Sequence, residues 1–438
     1  MKHSKRSINS FIFIAILFSL FGGITVLVQL LVPHLRDLFQ LSYTKAGFVL
    51  LAFFLPYLFF SIPAGVMLTK IGYQRGIILG LVIIALGALL FYPAADERSF
   101  STFMIATFVL GSGVTFLQVA INPYTSILSN NTIKTSRLTF SQAFNAIGTT
   151  LAPLIGAVFI LKEKVKTPTE IDLLLPFDKA VYLQKEALSI QWPFLSIALI
   201  VSLLAVLFSL IKLPCNTVCE EKVNIKNYIH LLQKTPLLLG AIAIFLYVGA
   251  EVAVGSYIVN YLVKINMAEI SECPIGGPLW YGVGKIFNKP DLFSADPKAM
   301  VAIFLCFYWG GAMVGRFIGA RLTKFFTPSK MLITAAICNI SLILIAINTN
   351  GLFSMISLLS LGLFNSIMFP TIFALSCEGI DELKTQTSSI LCTMIVGGGL
   401  LPVVYGFFTD YVGFHLAFLT LVVCYSYIAF FGFYKSST

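Results

Sequence analysis

The chain has 438 residues, of which 58% are hydrophobic and only 11% charged, against roughly 25% charged in a soluble domain. A mean hydropathy of +0.92 excludes a soluble globular protein, and the formal net charge of +10 does not signal nucleic acid, because the basic residues sit in short loops between apolar runs. The eight cysteines form no disulfide framework: Cys306, Cys338, Cys377, Cys392 and Cys424 fall in apolar spans, Cys215 and Cys219 in the central loop, and only Cys273 in an outer loop.

Met1 to Ser10 is basic, and the apolar run Phe11 to Pro33 is too long for a signal-peptide core, so it is expected to stay as the first membrane helix. Windows of ~20 residues place further helices near 44–69, 76–95, 101–128, 136–161 and 191–213, then 236–264, 298–324, 329–347, 351–377, 385–409 and 413–434. The expected architecture is an all-α membrane protein of twelve transmembrane helices in two pseudo-symmetric six-helix bundles, 1–213 and 236–438, joined by a cytoplasmic linker at 214–235. The amino-terminal tail, Lys70, Arg75, Lys134, Arg137, Lys222, Lys226, Lys234, Arg321, Lys324 and Lys330 all fall on one side, which the positive-inside rule makes the cytoplasm. Both termini are expected there. The opposite side carries Arg36, Arg98 and the longer loops 162–190 and 265–297, whose lysines are balanced by acids.

The halves repeat one another. Gly65 and the Leu-Thr-Lys run at 68 match Gly319 and the Leu-Thr-Lys run at 322; Gln118 and Pro123 match Asn365 and Pro370; Pro153 matches Pro402. Three matches in one order argue for duplicated bundles, and duplicated transporters place their substrate between the bundles.

The run from Gly111 to Ile160 carries Gln118 and Asn122 four apart, then Gln142 and Asn145 three apart, so each pair lies on one helix face. A carboxamide facing hydrocarbon costs several kcal/mol unless bonded, and four of them imply a shared polar interior. Such groups donate and accept together, which suits a polyhydroxyl ligand; helix-to-helix glue is the plainer use. Asn365 is the matching contact from the second half, and Tyr247, Tyr261, Tyr308 and Trp309 offer rings to the apolar face of a sugar. Trp280 in the outer loop is uninformative. Glu251, flanked by Gly249, Ala250, Ala253 and Gly255, is the acid deep in an apolar span, expected to bind a hydroxyl or exchange a proton. Arg316 is placed near the cytoplasmic end of its helix, where it would snorkel or pair across the halves as a gating element. The run Gly397, Gly398 and Gly399 reads as a hinge, as do the prolines of NPY at 122, APL at 152, FPT at 369 and LPV at 401.

No enzyme motif is present: there is no GxxxxGK[ST], HExxH or GxSxG, and His3, His34, His230 and His415 are scattered without a metal partner at ligand spacing. No catalytic residue, metal or cofactor is expected.

FGGITVLVQLLVPHL, LQVAINPY, SQAFNAIGTTLAP, YVGAEVAVGSYIVNYL, YWGGAMVGRFIG and FPTIFALS together resemble the fucose permease and glucose/galactose transporter branch of the major facilitator superfamily, over nearly the whole chain. The resemblance implies the twelve-helix fold, an inner-membrane location and import of monosaccharides with protons or, in some members, sodium. The chain departs from that branch at three places. Thr69 stands where the superfamily motif has an aspartate. Val28 and Gln29 replace an Asn-Asp pair of glucose/galactose members, which removes a membrane acid from the first helix. Gln118 stands where fucose symporters carry a glutamate, although glutamine is usual in the glucose/galactose group.

The leading expectation is therefore a monomeric secondary active or facilitative transporter of a neutral hexose such as glucose, galactose or fucose. Gln118, Asn122, Gln142, Asn145, Tyr247, Glu251, Tyr308 and Asn365 would form the substrate site, Glu251 would couple, and Arg316 with Gly397, Gly398 and Gly399 would gate. The alternative keeps the fold with a non-sugar solute, such as a hydroxycarboxylate chelator or drug. A receptor or sensor would need a signalling domain, and the loops and ends offer none.

Overall fold

The computed structural model describes residues 2–127, 134–159, 173–211, 225–265, 301, 303–323, 325–378, 380 and 384–437. Cys215, Cys219, Cys273, Trp280, Lys222, Lys324, residues 214–224 of the linker, 162–172 of the first long outer loop and nearly all of the 265–297 loop lie outside the described residues, as do the side chains of Lys134, Arg137 and Lys226. In lipid every backbone N–H and C=O must be satisfied within its own segment. Accordingly the described chain is a succession of helices: α1 (Lys2–Leu38), α2 (Tyr43–Ile71), α3 (Tyr73–Asp96), α4 (Phe100–Ile127), α5 (Lys134–Phe159), α6 (Pro176–Leu188), α7 (Gln191–Leu210), α8 (Ile225–Leu232), α9 (Thr235–Lys264), α10 (Leu305–Leu322), α11 (Pro328–Asn348), α12 (Gly351–Asn365), α13 (Met368–Cys377), α14 (Lys384–Thr393), α15 (Gly397–Ala417) and α16 (Leu419–Ser437). Among the described residues ten spans are long and apolar enough to cross a membrane. With α5 and α10 they are consistent with twelve, counting α12 with α13 and α14 with α15 as single broken spans.

Within the first six spans α1 packs on α5, and α3 on α4 and α7; within the second six α9 packs on α13, α15 and α16, and α11 on α12 and α16. The two sets meet through α2 against α15, α5 against α10, and α1 against α9. The second span of one set thus lies on the fifth of the other, in both directions, which is the pseudo-two-fold arrangement of a duplicated transporter.

Close approach depends on glycine where helices cross. A Cβ on Gly148 of α5 would collide with the Ser19 carbonyl of α1, and one on Gly22 of α1 would press on Asn145 of α5. Gly148→Val forces this pair apart, an overpacking cost of about 1–3 kcal/mol or more, so the yield of monodisperse protein in size-exclusion chromatography is expected to fall several-fold. Gly310→Ala is the control that should pass, because only the Thr150 methyl, at 3.7 Å, comes near its new Cβ.

Several expected boundaries move. Helix α1 does not end at Pro33 but runs through it to Leu38, since a proline removes one backbone bond while Leu35 and Leu38 are buried and His34 Nε2 lies 3.3 Å from the Glu186 carbonyl of α6. The 162–190 loop holds that amphipathic helix, which the length of the apolar runs alone did not reveal. The last two spans divide at Gly413, whose φ of 79° is a conformation glycine adopts freely.

Candidate functional site

Six helices and two helix breaks line a polar cavity of about 110 Å³. Helix α5 presents Gln142, Asn145 and Thr149, a single face at i, i+3 and i+7. Helix α4 adds Gln118 and Asn122, α1 adds Thr25 and Gln29, α2 adds Phe54 and Tyr57, α9 adds Tyr247 and Glu251, and α10 adds Trp309 and Arg316. Phe369 follows the α12–α13 break, and Ile395 lies in the 3₁₀ turn Met394–Val396 between α14 and α15. The five carboxamides of the first half, Gln29 among them, and the acid of the second therefore share one space.

Polar atoms on this wall are only partly used. Asn145 Nδ2 donates to the Phe18 carbonyl at 3.2 Å, which fixes the carboxamide against α1. Arg316 donates through Nη1 to the Gln142 carbonyl, and Asn145 Oδ1 stands 3.5 Å from the same nitrogen. Gln29 Oε1, Trp309 Nε1 and Arg316 Nε are buried without a hydrogen-bond partner among the described residues. Leaving such atoms unpaired costs about 1–3 kcal/mol each, a cost that one acceptor and two donors on this wall carry.

Of the two placements expected for Arg316, the bridge between the halves is the one the structure shows. It is 7% exposed and reaches across from α10 to α5, so it neither snorkels nor sits at the interface; its long side chain is drawn inward by the carbonyl and carboxamide it meets. Asn365 and Tyr308 are corrections, since neither lines the cavity and both are fully buried behind it. Asn365 Oδ1 accepts from Asn339 Nδ2 and from Tyr425 OH, each at 2.8 Å, and its Nδ2 donates to Tyr308 OH at 3.0 Å. With its amide consumed by three neighbours, Asn365 holds the wall and does not meet a ligand. Tyr261 is likewise remote, hydrogen-bonded to Ser354 at 2.6 Å.

The glycine run is helical where a hinge was expected: Gly397 has φ −52° and ψ −32°, and the irregular turn is the preceding Met394–Val396. A Cβ on Gly397 would strike the Phe245 carbonyl of α9, one on Gly398 the Phe54 ring and one on Gly399 the Leu51 Cα of α2. The three glycines are a contact surface between α15 and both α9 and α2. The α12–α13 break likewise falls at Ser366 and Ile367, ahead of Pro370.

Sequence reasoning passed over Thr25, Tyr57 and Thr149, and it read Gln29 as a lost acid where the structure makes it part of the wall. Thr149 was legible as one turn beyond Asn145. Gln29 and Tyr57 were not, because no local pattern tells which face of an all-apolar helix turns inward.

At the end of the bundle where α1 finishes, the two halves are clasped. The Asp410 carboxylate on α15 accepts the N–H of Tyr43 at 3.0 Å, the N–H of Thr44 at 2.9 Å and the Thr44 hydroxyl at 2.6 Å, all in the first turn of α2. Tyr257 of α9 donates to the Tyr43 carbonyl at 2.8 Å, and Tyr43 stacks edgewise on Phe414. The unpaired amides and positive dipole end of α2 are thus satisfied from the other half.

Paired six-helix sets around a central polar cavity, closed at one end by contacts between the sets, define a membrane transport protein rather than an enzyme. The chain belongs to the Major Facilitator Superfamily, whose family model matches residues 12–288. It is 42% identical over 419 residues to the glucose/galactose transporter of Brucella abortus biovar 1 (strain 9-941), covering 96% of this chain and 92% of that one. It is 30% identical over 442 residues to the L-fucose-proton symporter of Escherichia coli (strain K12), covering 99% and 95%. The crystal structure of a Major Facilitator Superfamily transporter, FucP, in the outward conformation superposes with a TM-score of 0.74 at 28% identity, covering 99% of this chain and 100% of that one.

Proposed function

We propose that this protein imports a neutral monosaccharide, a hexose such as glucose, galactose or fucose, across the bacterial inner membrane by alternating access between bundles 1–213 and 236–438. The observation that carries the reading is the mixed set of donors and acceptors around one cavity: the carboxamides of Gln118, Asn122, Gln142 and Asn145, with the unpartnered Gln29 Oε1, Trp309 Nε1 and Arg316 Nε. A sugar hydroxyl donates and accepts at one oxygen, so it fits such a set, while Trp309 and Tyr247 offer rings to its apolar face. The glucose, galactose and L-fucose after which the relatives are named support the same class. Arg316 does not turn the site toward carboxylates, because Glu251 on the same cavity opposes its charge.

In this reading both termini are cytoplasmic, the Asp410 clasp closes the outer face, and the protein acts as a monomer. Coupling runs through Glu251. The first helix carries Gln29, an amide that cannot release a proton, so Glu251 is the acid on the cavity that can load one, and protons are the coupling ion rather than sodium. Proteoliposome counterflow over hexoses, pentoses and hydroxycarboxylates, with and without an imposed pH gradient, tests the reading. Hexose exchange and gradient-driven accumulation are expected, and exchange of hydroxycarboxylates alone would overturn it. Glu251→Gln is expected to bring the accumulation ratio down to one; continued uphill accumulation by that variant would remove Glu251 from coupling.

A further inference from the structure

Behind the cavity wall lies a hydrogen-bond network in which every direction but that of Tyr247 is settled by chemistry. Amide N–H groups only donate and carbonyls only accept, so Asn339 must donate to Asn365 Oδ1, and Asn365 Nδ2 must donate to Tyr308 OH. The Tyr308 hydroxyl donates to the Glu251 main-chain carbonyl at 3.3 Å, and the Tyr425 hydroxyl donates to Asn365 Oδ1. Tyr247 is different. Its hydroxyl stands 2.7 Å from Glu251 Oε1 and 3.1 Å from the Asn365 main-chain carbonyl, two acceptors for a single proton.

Which acceptor wins depends on Glu251. When its carboxyl is ionised, the charge-assisted bond is the stronger, and the Tyr247 proton points to Oε1 and away from Asn365. When it is protonated, the carboxyl O–H donates to the Tyr247 oxygen, and the Tyr247 proton turns to the Asn365 carbonyl. That carbonyl belongs to the last residue of α12, immediately before the break at Ser366 and Ile367. We propose that Tyr247 is a positioning residue that carries the protonation state of Glu251 to the α12–α13 break, tightening it when the acid is loaded and loosening it when the acid is empty.

The proposal deepens the assignment of coupling to Glu251 and rests on it. Other charged and titratable groups near Glu251 are Arg316 and Tyr308 of α10 and Tyr425 of α16. Tyr57 of α2 lines the same cavity, to which α1, α4 and α5 bring amides and hydroxyls. Arginine stays protonated throughout and phenols titrate near 10 in water, so Glu251 is the member whose charge changes.

Hydrogen–deuterium exchange of the purified full-length protein over residues 363–370 tests the link, each variant being compared with wild type at one pH so that intrinsic exchange cancels. Glu251→Gln keeps a neutral donor toward Tyr247 and imitates the loaded acid. At pH 9 its exchange at the break is expected to be slower than wild type by about fivefold, the factor one net hydrogen bond gives, and the contrast should close at pH 5. In a Tyr247→Phe background the same Glu251→Gln change is expected to have no effect at the break. Equal exchange in wild type and Glu251→Gln at pH 9 overturns the proposal, and so does a contrast that survives in Tyr247→Phe. The coupling reading fails by a different result, uphill accumulation by Glu251→Gln, which leaves the exchange contrast as an independent measurement of the switch.

Discussion

Arg316→Met is expected to lower sugar counterflow by about a hundredfold or more, because one buried guanidinium supplies charge-assisted bonds worth about 1.5–3 kcal/mol each to both a main-chain carbonyl and a carboxamide. Arg316 joins α10 to Gln142 and Asn145 of α5, and its Nε is one of the two unpartnered donors on this wall, with Trp309 Nε1. Methionine keeps the unbranched apolar stem, so the fold is expected to survive, but Asn145 loses the neighbour on its oxygen and the cavity loses its cation. Arg316→Lys should recover only part of the activity, since an ammonium cannot reproduce the planar fork. Counterflow normalised to folded protein from size-exclusion chromatography decides the point; an Arg316→Met rate within threefold of wild type would dismiss the residue from the site.

The second large effect is expected at the clasp. Asp410 binds the two N–H groups and the hydroxyl that open α2, and loss of such a cap costs about 0.5–2 kcal/mol, enough to shift a closed-to-open balance by roughly tenfold. Asp410→Ala should therefore open the outer face more often, while Asp410→Asn, which keeps one accepting oxygen, should fall between. With the eight native cysteines replaced by serine and a reporter at Val248→Cys on the cavity wall, a membrane-impermeant maleimide added outside should label the Asp410→Ala protein about tenfold faster than its parent. Unchanged labelling would mean that the carboxylate does not hold this end shut.

The hydrophobic runs and the loop charges made the membrane helices legible, and the spacing of Gln118, Asn122, Gln142 and Asn145 announced a polar interior. Those signals are local, because lipid rejects each unbonded polar group where it stands. Asn365 was misplaced, and Arg316 left between two placements, for the complementary reason. Both are polar residues in apolar spans, and from the chain alone a cavity-lining side chain looks the same as one sealed behind the wall. Their difference lies in partners far off in sequence, Gln142 for the arginine, and Tyr308, Asn339 and Tyr425 for the asparagine.

The glycine run shows the same limit. Three consecutive glycines announce freedom, yet here the backbone at Gly397 is ordinary helix, and the missing side chains serve the approach of Phe245, Phe54 and Leu51. By itself, then, the sequence determined that the chain crosses a membrane many times in two related halves and buries amides, an acid and a cation within it, since burying each such residue carries a cost that has to be met locally. Only the tertiary structure decided which of them share one cavity and which hold its wall, because that depends on how helices distant in sequence rotate and cross, and the glycine contacts that set those crossings are made with other helices.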